Sequence, residues 1–141
     1  EFWTGMQREV IDACTKAAAT RPDIVRLLPA LPWQEVPSFL AEAAATIISS
    51  TEPETFCHTA AEALSVGTPV ISFDLGNVPR MAGPAGRTVP LEHGASALWE
   101  ALAELLSNRG RYHAAAQAAP GRVDGFRPEH AAATLIAALG L

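Results

Sequence analysis

The stretch Glu54-Thr55-Phe56-Cys57-His58-Thr59-Ala60-Ala61-Glu62-Ala63-Leu64-Ser65-Val66-Gly67-Thr68-Pro69-Val70-Ile71 decides the fold. It opens on a loop acid and passes into a helix predicted over residues 57–66. Gly67 closes that helix, because glycine takes the left-handed conformation that ends helices without steric cost. A continuous apolar run at 70–74 then reads as a buried strand. The β-branched run just upstream, at 45–50, reads as another. Two short, largely apolar strands separated by a helix are the signature of parallel pairing, which needs a crossover between strands.

Working outward, the same alternation continues. Residues 6–19 form a predicted helix, with Met6, Val10, Ile11, Cys14 and Ala17 at spacings of three and four. The run at 24–28 suits a short strand, and 29–32 a loop. Residues 33–43 suit a helix that starts near Val36, since Pro37 is tolerated only in a first turn. Downstream, the Gly- and Pro-rich segment 76–86 reads as a loop and 87–90 as an edge strand. Residues 95–106 form an amphipathic helix through Leu98, Ala101, Leu102 and Leu105. Residues 112–119 are weakly helical, and 128–139 form a last helix with proline in its first turn. The fold class is therefore α/β, a Rossmann-like parallel sheet with helices on both faces. Loops 29–33, 50–58 and 74–80 each follow a predicted strand. They are expected to gather at the carboxyl edge of the sheet, where ligands of such folds bind.

Composition narrows the function classes. With 141 residues and 49% hydrophobic content, the chain can bury a core and is not disordered. Its net charge of −5 and lack of a basic run exclude nucleic-acid binding, which needs a cationic footprint. A nucleotide ligand stays open, because a helix start can hold a diphosphate. Cys14 and Cys57 stand apart with no metal-type spacing, so two reduced thiols in a cytoplasmic protein are expected. No apolar run reaches the ~18 residues of a membrane span. The opening residues carry no signal-like pattern and read like the middle of a chain.

The chemistry gathers around the quoted helix. The N–H groups of its first turn lack internal partners and, with the helix dipole, favour an anion. Thr59 adds a hydroxyl there. Glu62 lies one turn on, on the same face, where a carboxylate can accept two hydrogen bonds from a vicinal diol such as a ribose. Glu54, in the loop, can reach a second polyol. A phosphate between two polyols is the layout of a nucleotide sugar. A structural alternative fits the same spacing. Thr59 and Glu62 match a capping box, and Glu54 can be a solvated acid beside Glu52. Cys57 and His58 are adjacent without further ligands, so no metal site is expected. Trp33 suits either stacking on a base or interface packing.

From about residue 23 to residue 106 the chain resembles the C-terminal, donor-binding domain of GT-B glycosyltransferases of the retaining family 4 type. Ser50-Thr-Glu-Pro-Glu54-Thr-Phe56 resembles that family's Pro-Ser-x-x-Glu-Gly-Phe-Gly. Glu54 and Glu62 match its Glu-x7-Glu pair. The run from Glu62 to Ile71 is similar to its Glu-Ala-Met-Ala-x-Gly-x-Pro-Val-Val. Gly76-Asn-Val-Pro79 and Gly86-Arg-Thr-Val-Pro90 resemble the two motifs that follow, and Phe126-Arg-Pro-Glu-His130 its terminal helix entry.

The resemblance implies that the chain is one half of a GT-B fold and transfers a sugar from a nucleotide-sugar donor, with retention, to an acceptor it does not name. Glu54 would be the catalytic residue, contacting hydroxyls of the donor sugar. Phe56, Cys57, His58 and Thr59 would face the sugar and diphosphate, and Glu62 would hold the ribose. Pro29, Ala30 and Leu31 would line the base. Neither metal nor cofactor is expected. Residues 1–141 would be a partial C-terminal domain. Its first strand–helix segment, with two diphosphate-binding cations, and the N-terminal acceptor domain would lie outside the chain, leaving this fragment inactive alone. His58, His93, His113 and His130 match no family catalytic position. Three positions depart from the pattern. Thr55 and Cys57 replace glycines, which narrows a sugar's approach to the backbone, and Arg80 replaces an acid. A sugar-nucleotide epimerase of the same fold and a noncatalytic nucleotide-binding module are the alternatives.

Overall fold

A computed structural model describes residues 5–140, with side chains from Arg8 onward. The chain divides into two compact units between Pro32 and Trp33.

In the first unit the expected helix forms as α1 (Gly5–Thr20). Its side chains at Val10, Ile11 and Cys14 are exposed, and that of Met6 lies outside the described residues. The strand expected at 24–28 does not form. An Arg21–Asp23 ion pair at 3.1 Å and backbone bonds from Ile24 and Val25 to the Arg21 carbonyl turn the chain instead. Ile24, Leu27 and Leu28 stay exposed. A strand exists through its neighbour's hydrogen bonds, and among the described residues these five pair with no strand. The loop at 29–33 therefore follows no strand.

The second unit begins with α2 (Val36–Ala41), whose proline sits in its first turn as expected. β1 (Thr46–Ile48), α3 (His58–Ser65) and β2 (Val70–Phe73) follow. The segment expected to be a loop at 76–86 contains a short helix, α4 (Val78–Ala82), and a 3₁₀ turn at Gly83–Ala85. Val78, Met81 and Ala82 bury one side of α4, and Pro79 is accommodated at its start. β3 (Gly86–Val89) is the edge strand. α5 (Gly94–Ser107), α6 (Arg109–Val123) and α7 (Pro128–Leu139) complete the unit. α6 is longer than its weak apolar pattern suggests. Asn108 caps it by accepting from the Arg111 N–H at 3.0 Å, and Ala115 and Ala119 bury its packed face.

The three strands pair in the order β1-β2-β3, all parallel. Thr46 lies opposite Val70, and Val70 opposite Gly86. Every residue of β2 is buried because both its faces are covered. Val70 packs with Ile48, Ala60, Leu64, Met81 and Ala119 on one side. Ile71 and Phe73 pack with Leu98, Leu105 and Ala115 on the other. The Rossmann-like sheet with helices on both faces is thus present.

α3 is fixed at its C-terminus by two backbone bonds, from Gly67 to the Leu64 carbonyl and from Thr68 to that of Ala63. This is the paired closure that glycine beyond a helix permits. The buried Thr68 hydroxyl then donates to the Leu40 carbonyl at 2.7 Å, tying α3's exit to the end of α2.

Candidate functional site

The loop from β1 to α3 is anchored to the loop after β2 through its backbone. The Glu54 carbonyl accepts from the Asn77 N–H at 3.0 Å. Gly76 has φ +59°, and a Cβ there would fall 2.6 Å from the Glu54 nitrogen and closer still to its carbonyl oxygen. Only glycine allows this approach. The expectation that loops 50–58 and 74–80 gather at the carboxyl edge is met.

The Glu54 side chain is held as well. Its Oε1 accepts from the Ser50 hydroxyl. That bond first, and the Cys57 thiol second, pull its carboxyl below the ordinary glutamate range against a small opposing effect of burial. Donors aimed at a carboxylate stabilise its ionised form.

Cys57 is the residue before α3 and takes the left-handed conformation, φ 62°. It is the one described non-glycine residue with positive φ. This is a backbone shape suited to glycine, which explains physically why a glycine pattern fits the position. The side chain is buried with Ala60, Leu64 and Val78 in the core. It therefore lies inside the fold, whereas Thr55 is exposed. Burial first, then the hydrogen bond to Glu54, pushes the Cys57 thiol above its ordinary value.

The capping-box alternative does not form. α3 starts at His58, so Thr59 is its second residue, and no side chain caps the helix. Thr59 and Glu62 are both exposed on α3, and neither has a side-chain partner among the described residues. Glu62 lines a cleft of about 300 Å³ together with Ala61, Ser65, Val123, Phe126 and Arg127. The half-buried Phe56 ring meets His58 edge-on at 5.0 Å and Phe126 at 5.0 Å and 86°. Glu54, Phe56, Cys57, His58, Thr59 and Glu62 thus surround the head of α3. Pro29, Ala30 and Leu31 belong to the first unit. Among the described residues, no three His, Cys, Asp or Glu side chains group as metal ligands, and no helix is long and apolar enough to cross a membrane.

Three residues that stand within the quoted motifs shape the site in ways the sequence does not assign to them. Ser50 stands four residues before Glu54, a spacing that suggested nothing alone. Gly76 was visible as a glycine, but its contact is with a residue 22 positions away. Phe126 packs on Phe56 across 70 residues, with no local signal.

A parallel sheet covered on both faces, with acids at the carboxyl edge, is the architecture of one Rossmann-like half of a GT-B fold. Residues 13–122 match the family described as glycosyl transferases group 1, and the chain belongs to that family. Its reaction is glycosyl transfer, which takes a sugar donor and an acceptor. No match is found among curated proteins.

Proposed function

We propose that this chain supplies the C-terminal, donor-binding half of a retaining, family 4-type GT-B glycosyltransferase acting in the cytoplasm on a nucleotide sugar. The observation that carries this reading is the Glu54 carboxylate. Its Oε1 accepts from Ser50, and Ser50 and then Cys57 favour its ionised form beside the carboxyl end of β1, one loop before a helix start that no side chain caps.

In this reading Glu54 accepts hydrogen bonds from hydroxyls of the donor sugar and fixes its pose, which removes orientational freedom from the transfer step. The uncapped N–H groups at the head of α3, with the Thr59 hydroxyl, stabilise the departing diphosphate as its negative charge develops. Glu62, whose carboxylate has no partner among the described residues, accepts from the two ribose hydroxyls at the edge of its cleft. The two acids serve different rings, so the paired acid and nucleophile of glycosidases are not invoked. Neither a metal nor a cofactor takes part.

Glu62→Ala in the intact enzyme tests the ribose role by calorimetry with the nucleotide-sugar donor. Loss of two charge-assisted hydrogen bonds should weaken binding by roughly 10- to 100-fold. Unchanged affinity removes the role.

A further inference from the structure

A second cavity, of about 260 Å³, lies beside the site and is lined by Asn77, Arg80, Met81, Arg122 and Phe126. The chain carries 15 acids against 10 Lys and Arg, yet none of these five residues is an acid. An oxyanion would therefore meet attraction here and repulsion over much of the remaining surface.

The two guanidinium groups are prepared differently. Arg122 is fixed in place: its Nε donates to the Met81 carbonyl at 3.0 Å and an Nη to the Arg80 carbonyl at 2.6 Å. Its guanidinium lies against Gly83, where a Cβ would come within 2.9 Å of it. Three of its five N–H donors remain after those two bonds. Arg80 is exposed and has no side-chain partner among the described residues. One fixed and one free planar donor group suit a carboxylate or phosphate, which such forks bind through paired hydrogen bonds. The fixed one loses little further freedom on binding.

The cavity is joined to the Glu54 loop on two sides. Asn77 donates its backbone N–H to the Glu54 carbonyl, and Phe126 packs against Phe56. We propose that Arg80 and Arg122 form a subsite for an oxyanion, a carboxylate or phosphate monoester, carried on a sugar substrate. Only the carrier rests on the donor-site reading. The anion chemistry rests on the cavity itself. Arg80 is then a specificity-determining residue that favours an acidic sugar over its neutral counterpart.

The test follows backbone amide shifts of Asn77, Arg80 and Arg122 while inorganic phosphate, glucuronate and glucose are added separately to the protein. Phosphate and glucuronate should shift these amides and glucose should not, with responses weakening as salt is raised. Arg80→Gln should reduce both affinities about 5- to 10-fold, as expected for loss of a charge-assisted contact at an exposed site. Arg80→Lys should retain part of the response. Equal phosphate affinity in wild type and Arg80→Gln overturns the subsite. A response to inorganic phosphate with none to glucuronate and none to glucose 6-phosphate, added in the same way, overturns the sugar carrier. Both readouts omit nucleotide, so failure of the ribose role of Glu62 leaves them unaffected and the two proposals fall separately.

Discussion

Glu54 and Glu62 stand eight positions apart but occupy opposite physical situations. Glu54 is held through its backbone by Asn77 and the close approach of Gly76, and through its carboxylate by Ser50 and Cys57. Glu62 projects from the exposed side of α3, and its carboxylate has no partner among the described residues. A preorganised acid suits a role in which geometry affects the reaction, since a group already in position needs no reordering when the substrate binds. An unpartnered acid suits simple binding, with its hydrogen-bonding capacity reserved for a ligand. Similar residues in one motif thus divide into a fixed element and a receptive one.

The strongest way to break that contrast is Gly76→Ala. The added methyl meets the Glu54 backbone, and the left-handed φ adds its own penalty. Destabilisation of about 3 kcal/mol or more is expected, since neither backbone segment can move without losing its hydrogen bond. Denaturant midpoints at constant m-value would read it. In whatever fraction stays folded, the Glu54 carboxyl should return toward its ordinary titration range. A Gly76→Ala protein as stable as wild type would show that the loop is not held at this contact.

Cys57 gives the next largest effect. A β-branched side chain is poorly tolerated at φ 62°, so Cys57→Val should destabilise by roughly 2 kcal/mol despite similar burial. Cys57→Gly should be nearly neutral, because relief of about 1 kcal/mol of backbone strain offsets the lost packing of the thiol. If valine and glycine behave alike in thermal unfolding, the backbone conformation is not what the position selects.

The parts of this division that were legible in the sequence are those set by local pattern. β1, β2, β3, α3, α5 and α7 follow from apolar runs and periodicity, and the two acids from their spacing around a helix start. The missed features are non-local. Residues 24–28 have strand-like composition but no pairing partner, and composition cannot supply one. α4 is five residues long, too short for periodicity to stand out among Gly and Pro. α6 packs through alanines, whose small side chains give a faint apolar signal but allow close approach of neighbouring elements. In the site, choosing between a capping box and an open helix start required the location of the first helical residue. Two positions of difference at Cys57 and Thr59 decided it.

Ser50→Ala is the smallest and most selective intervention. It removes the largest contribution to the lowered Glu54 titration while leaving the Gly76 contact and all of α3 in place. One hydrogen bond at a half-buried position is worth about 1 kcal/mol, a modest loss of stability at neutral pH. The pH dependence is more diagnostic. A carboxyl whose folded pKa lies below its unfolded value contributes stability that is complete above the unfolded value and lost as pH falls through the folded one. In wild type the Glu54 contribution should therefore persist at pH 5 and above and fade at roughly pH 4 and below. In Ser50→Ala the folded value moves up toward the unfolded one, so the contribution shrinks and its acid loss, which still begins at the unfolded value, is complete at higher pH. Carboxyl-carbon titration by NMR would record the shift at Glu54. An unchanged Glu54 titration in Ser50→Ala would mean that the Ser50 hydroxyl does not hold the carboxylate, and the distinction between a fixed and a receptive carboxylate would fail.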